Sequence, residues 1–324
     1  MVWLVPVVVY KKLLFWFKYY MNIFEGFEKV YIFIIIIISI IINIYLSIYF
    51  YDYYNSINTN PLLYKNLNIE FFKKFDFNFF IQNYGDTDIV LTHIGWNDVI
   101  CEHKVVKCKD YCQQIINQTQ SPIWYFKSED NYDFFHLIGI KKKIVEEFDK
   151  IFNKSYYLLA KNTSFWMGPK NSTTGWHTDL DDLSYLYVVK GKKKVSLVNP
   201  KYNKYMYPHN IFIEGSKWSK IDFKQVDYDK FPNFKKAKVI TYILKEGDAL
   251  YIPRNWWHCV ENLEDTIAIT YKLFRYQSYF HNLLEDVRKY YYKLFHSKTY
   301  NENIERMKRD YNKCTSIVLG KIHN

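Results

Sequence analysis

Two stretches of this 324-residue sequence, Thr174-Gly175-Trp176-His177-Thr178-Asp179 and Trp256-Trp257-His258, decide the fold that we expect. Alternate residues of a β-strand share a face, so the imidazole of His177 and the carboxylate of Asp179 lie on one side of an extended segment. A second imidazole, from His258 on another strand, completes three ligands on one side of a metal ion. The two stretches therefore predict strands, remote in sequence, that meet around a metal.

This set of three donors is the two-histidine, one-carboxylate facial triad of non-haem Fe(II) oxygenases, which leaves the opposite coordination positions open. A His-x-Asp pair is common by chance on any strand. The residues that flank the pair therefore carry more of the inference than the ligands do.

Residues 184–189 are predicted to form the strand after the His-x-Asp segment, and the strand that returns from it contains a lysine on its apolar face. Lys190-Gly191 forms a turn, and Lys193–Val198 is predicted to return as a strand. Lys193 shares its parity with Val195 and Leu197, so a strand that turns these two inward also turns Lys193 inward. A buried ammonium requires an anion, and a dicarboxylate would supply one.

Four segments, residues 165–169, 174–179, 190–193 and 247–258, follow one another in an order that resembles the JmjC/cupin-like family of Fe(II)- and 2-oxoglutarate-dependent oxygenases. The pattern is most similar to the asparaginyl-hydroxylase type. The resemblance covers residues 61–274 and implies a mainly β fold. We expect a double-stranded β-helix (the cupin jelly-roll) with flanking helices and a barrel core at about 163–274.

The resemblance also assigns the metal and the reaction. It implies that His177, Asp179 and His258 are the catalytic residues and bind Fe(II), with 2-oxoglutarate and O2 as cosubstrates. The predicted function is hydroxylation of a side chain in a protein or peptide substrate. Two alternatives remain open: a JmjC histone-lysine demethylase, and a catalytically silent cupin-like binding protein.

The cosubstrate site follows from the same resemblance. Thr174 and Lys193 are expected to hold the distal carboxylate of 2-oxoglutarate, with assistance from Tyr125, although Tyr125 is equally interpreted as a core aromatic residue. Two positions depart from the family pattern: Ser184 and Lys272 stand where relatives often carry asparagine. Lys272 shares the less apolar parity of its strand, so it too is expected to face the pocket.

Composition adds limits on partners and cysteine chemistry. The formal net charge is +11, but the lysines are scattered through the chain, so we do not expect a nucleic-acid partner. Five irregularly spaced cysteines form no disulfide framework. Cys101, His103, Cys108 and Cys112 are a weak alternative zinc set, and unpaired thiols are the favoured interpretation.

An apolar run near the N-terminus predicts a membrane anchor. Residues 30–50 carry no charge, and as a helix they would extend about 31 Å, which matches a hydrocarbon core of about 30 Å. Lysines precede the run, so the positive-inside rule places residues 1–29 in the cytosol. The prediction is a single-pass type II membrane protein with a linker at 51–60 and a catalytic domain in the lumen of the secretory pathway.

The last segment, residues 275–324, is predicted to be helical, because apolar residues recur there at helical spacing. Such helices make a homodimer in related hydroxylases. Packing against the protein's own barrel is the alternative.

Overall fold

The computed structural model describes residues 27–94, 101–119, 122–128, 134–152, 158–179, 183–213 and 216–275. The chain divides into two compact units between Tyr51 and Asp52, and each is considered by itself. The predicted helices at 276–324, and the homodimer that they would form, lie outside the described residues.

Helix α1 (Phe27–Asn58) contains the apolar run. Polar side chains recur every four residues along it: the Asn43 amide donates to the carbonyl of Ser39 at 2.8 Å, and the Ser47 hydroxyl donates to the carbonyl of Asn43 at 2.8 Å. No helix among the described residues combines the length and hydropathy that crossing a membrane requires. The predicted transmembrane helix, type II topology, membrane partner and lumenal location are therefore wrong.

The other helices and the strands all belong to the second unit, beginning at residue 62. The helices are α2 (Phe77–Tyr84), α3 (Cys108–Ile116), α4 (Phe134–Leu137) and α5 (Lys141–Phe152). The strands are β1 (Leu62–Tyr64), β2 (Asp88–Ile94), β3 (Cys101–Lys107), β4 (Tyr125–Ser128), β5 (Leu158–Gly168), β6 (Thr173–Thr178), β7 (Leu183–Lys190), β8 (Lys193–Val198), β9 (Pro208–Ile213), β10 (Ser216–Ser219), β11 (Val239–Leu244), β12 (Ala249–Pro253), β13 (Trp257–Asn262) and β14 (Thr266–Arg275).

These strands form two antiparallel sheets. The eight-stranded sheet has the order β1-β12-β7-β14-β5-β4-β2-β3, and the six-stranded sheet has the order β11-β8-β13-β6-β10-β9. Neighbouring strands that are far apart in sequence bring the two diagnostic stretches together, because β6 and β13 pair directly. The mainly β class with flanking helices is confirmed, and the paired sheets agree with the expected jelly-roll.

Strand β7 shows how the two layers are held. Tyr185 and Tyr187 pack with the aromatic residues of the flanking helices, whereas Leu186 and Val188 pack with apolar residues of the six-stranded sheet. A strand covered on both faces is expected to be apolar at nearly every position, as this one is. The inner face of the eight-stranded sheet, facing the six-stranded sheet, therefore forms one wall of the interior.

The flanking helices pack on the outer face of the same sheet. Helix α5 buries Ile144, Phe148 and Phe152. Phe148 stacks on Tyr271 of β14, with ring centroids 5.2 Å apart. Asp76 immediately precedes helix α2, and its carboxylate accepts the backbone N–H of Phe79 at 2.7 Å and so caps the first turn.

Candidate metal centre

Three side chains converge at one end of the paired strands. His177 lies near the end of β6, Asp179 follows that strand, and His258 on β13 is the register partner of His177. The Nε2 atom of His177 is 3.5 Å from Oδ1 of Asp179, and the Nε2 atom of His258 is 3.6 Å from Oδ2. One ligand atom from each residue lies within 4.8 Å of the other two, which is close enough for one ion to contact all three.

The second ring nitrogen of each histidine is held by the backbone. Nδ1 of His177 lies 2.8 Å from the carbonyl oxygen of Gly175, and Nδ1 of His258 lies 3.1 Å from that of Trp256. A carbonyl only accepts, so Nδ1 carries the proton in both rings and donates it. Each imidazole is then the tautomer protonated on Nδ1, and the lone pair of its Nε2 is directed at Asp179. A histidine that binds a metal through Nε2 needs this tautomer.

The charge states of the cluster also suit a cation. Burial, followed by the neighbouring His258, lowers the pKa of His177 to about 3. Burial alone would raise the pKa of Asp179, but the charge of Lys272 and the two imidazoles outweigh it and lower that pKa to about 2. At neutral pH the site therefore presents a neutral His177 and an ionised carboxylate, as metal binding requires.

The cluster opens into a cavity between the two sheets, with an empty volume of about 480 Å³ that includes space open to solvent. Both sheets contribute to its walls. The lining residues are Tyr125, Trp166, Thr174, His177, Asp179, Ser184, Leu186, Lys193, Ile252, His258, Val260, Thr270 and Lys272. All six residues expected from the sequence to bind metal or cosubstrate therefore lie around one cavity.

Lys193 is buried inside this cavity, with 1% of its surface exposed. Its ammonium donates to the hydroxyl of Tyr125 at 3.0 Å and to Oδ1 of Asn262 at 2.7 Å, both neutral groups. Burial lowers the pKa of Lys193 from 10.5 to about 7. Within the described ranges no carboxylate forms an ion pair with Lys193, so only neutral groups contact its ammonium.

Comparison with known proteins agrees with this architecture. The model of the family described as "Cupin-like domain" matches residues 69–274, which is more than half of the chain. The chain belongs to the cupin-like domain family. The family resemblance inferred from the sequence is confirmed.

Several curated proteins are similar to this cupin-like chain. HSPB1-associated protein 1 of Rattus norvegicus is 28% identical over 142 residues, covering 42% of this chain and 30% of that protein. JmjC domain-containing protein D of Dictyostelium discoideum is 36% identical over 107 residues, covering 32% and 23%. Lysine-specific demethylase JMJ31 of Arabidopsis thaliana is 30% identical over 191 residues, covering 56% and 32%. The chain thus spans less than a third of the length of these relatives.

Two residues of the cupin-like site were missed in the sequence. Asn262 accepts from Lys193 and donates its amide to the carbonyls of Gly168 at 3.3 Å and Pro169 at 3.2 Å. It has the same strand parity as His258, and this signal could have identified it. Trp218 of β10 stacks on His177 with centroids 4.8 Å apart. Trp218 lies in a long segment rich in basic and aromatic residues, 199–238, and no sequence pattern distinguishes it from its neighbours there.

The two departures from the family pattern also lie in the cavity. Ser184 is 3% exposed, and its hydroxyl has no hydrogen-bond partner among the described residues. Lys272 lines the cavity from β14, on the side predicted from its strand parity.

The alternative zinc set has no counterpart in the described part of the chain. There, the only group of three or more potential metal ligands is His177, Asp179 and His258. Cys108 and Cys112 are buried, free thiols on α3.

Proposed function

We propose that this protein is an Fe(II)- and 2-oxoglutarate-dependent oxygenase that hydroxylates a side chain of a protein or peptide substrate. The observation that carries the proposal is the joint placement, around one cavity, of a His-Asp-His cluster and a buried lysine without a carboxylate partner. Neither feature alone would distinguish an oxygenase from another cupin-like protein.

The donor set fits a divalent transition metal. Two neutral imidazoles and one carboxylate provide one negative charge, so a bound divalent ion keeps a net charge near +1 and attracts an anionic co-ligand. When bound, Fe(II) with 2-oxoglutarate and O2 would supply the oxidising chemistry. His177, Asp179 and His258 would hold the metal, and the backbone carbonyls of Gly175 and Trp256 would orient the two rings.

The opposite part of the cavity fits the distal carboxylate of the cosubstrate. Lys193 would donate to that carboxylate, the hydroxyl of Thr174 would assist, and Tyr125 and Asn262 already fix the ammonium in place. A charge-assisted hydrogen bond to a carboxylate would offset the free-energy cost of burying the ammonium. Hydrogen bonds to neutral groups offset only part of that cost. Trp166, Leu186 and Ile252 add apolar walls that exclude water from this region.

The relatives support the family chemistry and leave the substrate open. One relative is named for its association with another protein and another as a lysine-specific demethylase. Because the demethylase matches over 56% of this chain, demethylation of a protein lysine is the second candidate function. It uses the same metal and cosubstrate, so the products formed from a substrate peptide distinguish the two.

Purified full-length protein, incubated with Fe(II), 2-oxoglutarate, ascorbate and a panel of peptides, provides the test. We expect succinate in stoichiometric amounts with a peptide product that is 16 Da heavier for hydroxylation or 14 Da lighter for demethylation. His177→Ala should abolish turnover. His93→Ala is a matched control, because His93 is half-buried and bound to the carbonyl of Ile123, outside the cavity. Equal succinate formation by wild type and His177→Ala would refute the proposal.

A further inference from the structure

The cavity contains a second lysine whose role is not assigned by the proposed chemistry. Lys272 lies on β14, where it pairs with Ser184 of β7 and Asn162 of β5. Thr270, two residues earlier, faces the same cavity and accepts the indole N–H of Trp166 at 2.8 Å. Lys272 therefore belongs to the wall formed by the eight-stranded sheet, whereas Lys193 belongs to the six-stranded sheet.

The two lysines also differ in their position along the cavity. Lys193 pairs in register with Asn262, and the ligand His258 lies four residues earlier on that strand, or roughly 13 Å at 3.3 Å per residue. Lys272 pairs in register with Ser184, which follows Asp179 by five residues, and it lines the same cavity as His177, Asp179 and His258. The two lysines therefore lie on opposite sheets of the cavity that also contains the three cluster residues.

Ser184 provides an independent observation at the same place. Its hydroxyl is buried in the cavity wall beside Lys272 and makes no hydrogen bond within the described residues. A buried hydroxyl without a partner costs free energy, so this position is suited to a ligand atom that accepts a hydrogen bond. A carboxylate oxygen can accept from a hydroxyl and an ammonium together.

We propose that Lys272 and Ser184 form a carboxylate-binding position beside the metal ligands, so that a small dicarboxylate binds between Lys272 and Lys193 even without a metal. The inference rests on the proposed function only in treating the His-Asp-His cluster as the metal centre. It adds that this chain binds its dicarboxylate through two cationic anchors.

A cooperative order of binding follows. The positive charge of Lys272 opposes the binding of a divalent cation at the cluster, and a dicarboxylate bound between them would offset that charge. A bound dicarboxylate removes this repulsion, so it strengthens metal binding, and by thermodynamic reciprocity the metal strengthens dicarboxylate binding by the same factor. The protein therefore binds the metal ion weakly when the dicarboxylate is absent and more tightly when the dicarboxylate is bound.

The first experiment measures anion binding to the metal-free protein. Full-length protein treated with EDTA is titrated with glutarate and with pentanoate, a monocarboxylate of the same chain length, by isothermal calorimetry. We expect glutarate to bind at least about tenfold more tightly than pentanoate. Lys272→Met and Lys193→Met should each abolish this preference, and Ser184→Ala should reduce it. Lys238→Met is the matched control because Lys238 is exposed.

The second experiment measures Mn(II) affinity with and without glutarate. In Lys272→Met, Mn(II) alone should bind about tenfold more tightly than in wild type, and the enhancement by glutarate should shrink. Melting temperatures verify folding, and Lys272→Gln provides a second variant that lacks the charge. If Lys272→Met and Lys272→Gln leave both the glutarate preference and the Mn(II) affinity unchanged, the inference is wrong. Neither assay measures turnover, so absence of turnover with intact coupling would contradict only the proposed function.

Discussion

Replacing Lys193 with methionine tests whether the buried ammonium of Lys193 destabilises the folded protein. In the ligand-free protein the pKa of this buried ammonium falls from 10.5 to about 7. At about 1.4 kcal/mol for each tenfold change in proton affinity, this corresponds to about 5 kcal/mol of destabilisation while the lysine is charged. Methionine has a similar length but no charge, so Lys193→Met removes this cost.

The direction of the pH dependence follows from the lowered pKa. Below pH 7 both the folded and the unfolded chain carry the proton, and the full cost is present. Between pH 7 and 10.5 the unfolded state binds more protons than the folded state, so the stability of the wild type rises with pH. From pH 7 to pH 9.5 the gain attributable to Lys193 is about 3 kcal/mol.

The assay is urea unfolding of wild type and Lys193→Met, both metal-free, at intervals from pH 6 to pH 9.5. The variant also loses the hydrogen bonds to Tyr125 and Asn262, at about 1–3 kcal/mol each, but that loss shifts its whole curve and not its slope. We expect the difference between the two stabilities to change by about 3 kcal/mol from pH 7 to pH 9.5, in favour of the wild type. Parallel curves would show that Lys193 is not a buried charge and would refute the reasoning.

Three further substitutions test the site. Asp179→Asn removes the only carboxylate of the metal cluster, so Mn(II) affinity by calorimetry should fall more than about 100-fold; unchanged affinity would exclude Asp179 as a ligand. Trp218→Ala removes the ring stacked on His177 and should cost about 2 kcal/mol in urea unfolding, with weaker Mn(II) binding; unchanged Mn(II) affinity would show that the stack does not position the ligand. Gly168→Ala places a methyl group 2.5 Å from the ring of Tyr125, so glutarate binding should weaken while circular dichroism stays unchanged; full affinity would mean that Tyr125 contributes little.

Strand parity and spacing were sufficient for most of the candidate site. The His177–Asp179 spacing predicted that these two side chains would lie together, and alternation along β8 and β14 predicted that Lys193 and Lys272 would face the cavity, as they do. These inferences hold because a strand leaves only two directions for its side chains, and the apolar neighbours decide which one is buried.

Other features depended on contacts that local patterns do not contain. The stacking of Trp218 on His177 requires β10 to pair with β6, and the long insertion between β8 and β11 gives no sign of this pairing. Asn262 was overlooked although its parity matched that of His258. The membrane prediction rested on the length of the uncharged run and on the lysines before it, and no described helix meets the length and hydropathy that a membrane span requires.

The last turns of α1 bear on how the barrel can be truncated for laboratory work. The indole N–H of Trp256 donates to the backbone carbonyl of Ser56 at 2.9 Å, and the amide of Asn199 donates to that of Ile57 at 3.0 Å. The carbonyl of the same Trp256 orients the ring of His258. A fragment that starts at Pro61, where the family resemblance begins, would leave the buried indole N–H of Trp256 without its acceptor, two residues before His258. Expression should therefore begin no later than Asp52, even when only the barrel is wanted.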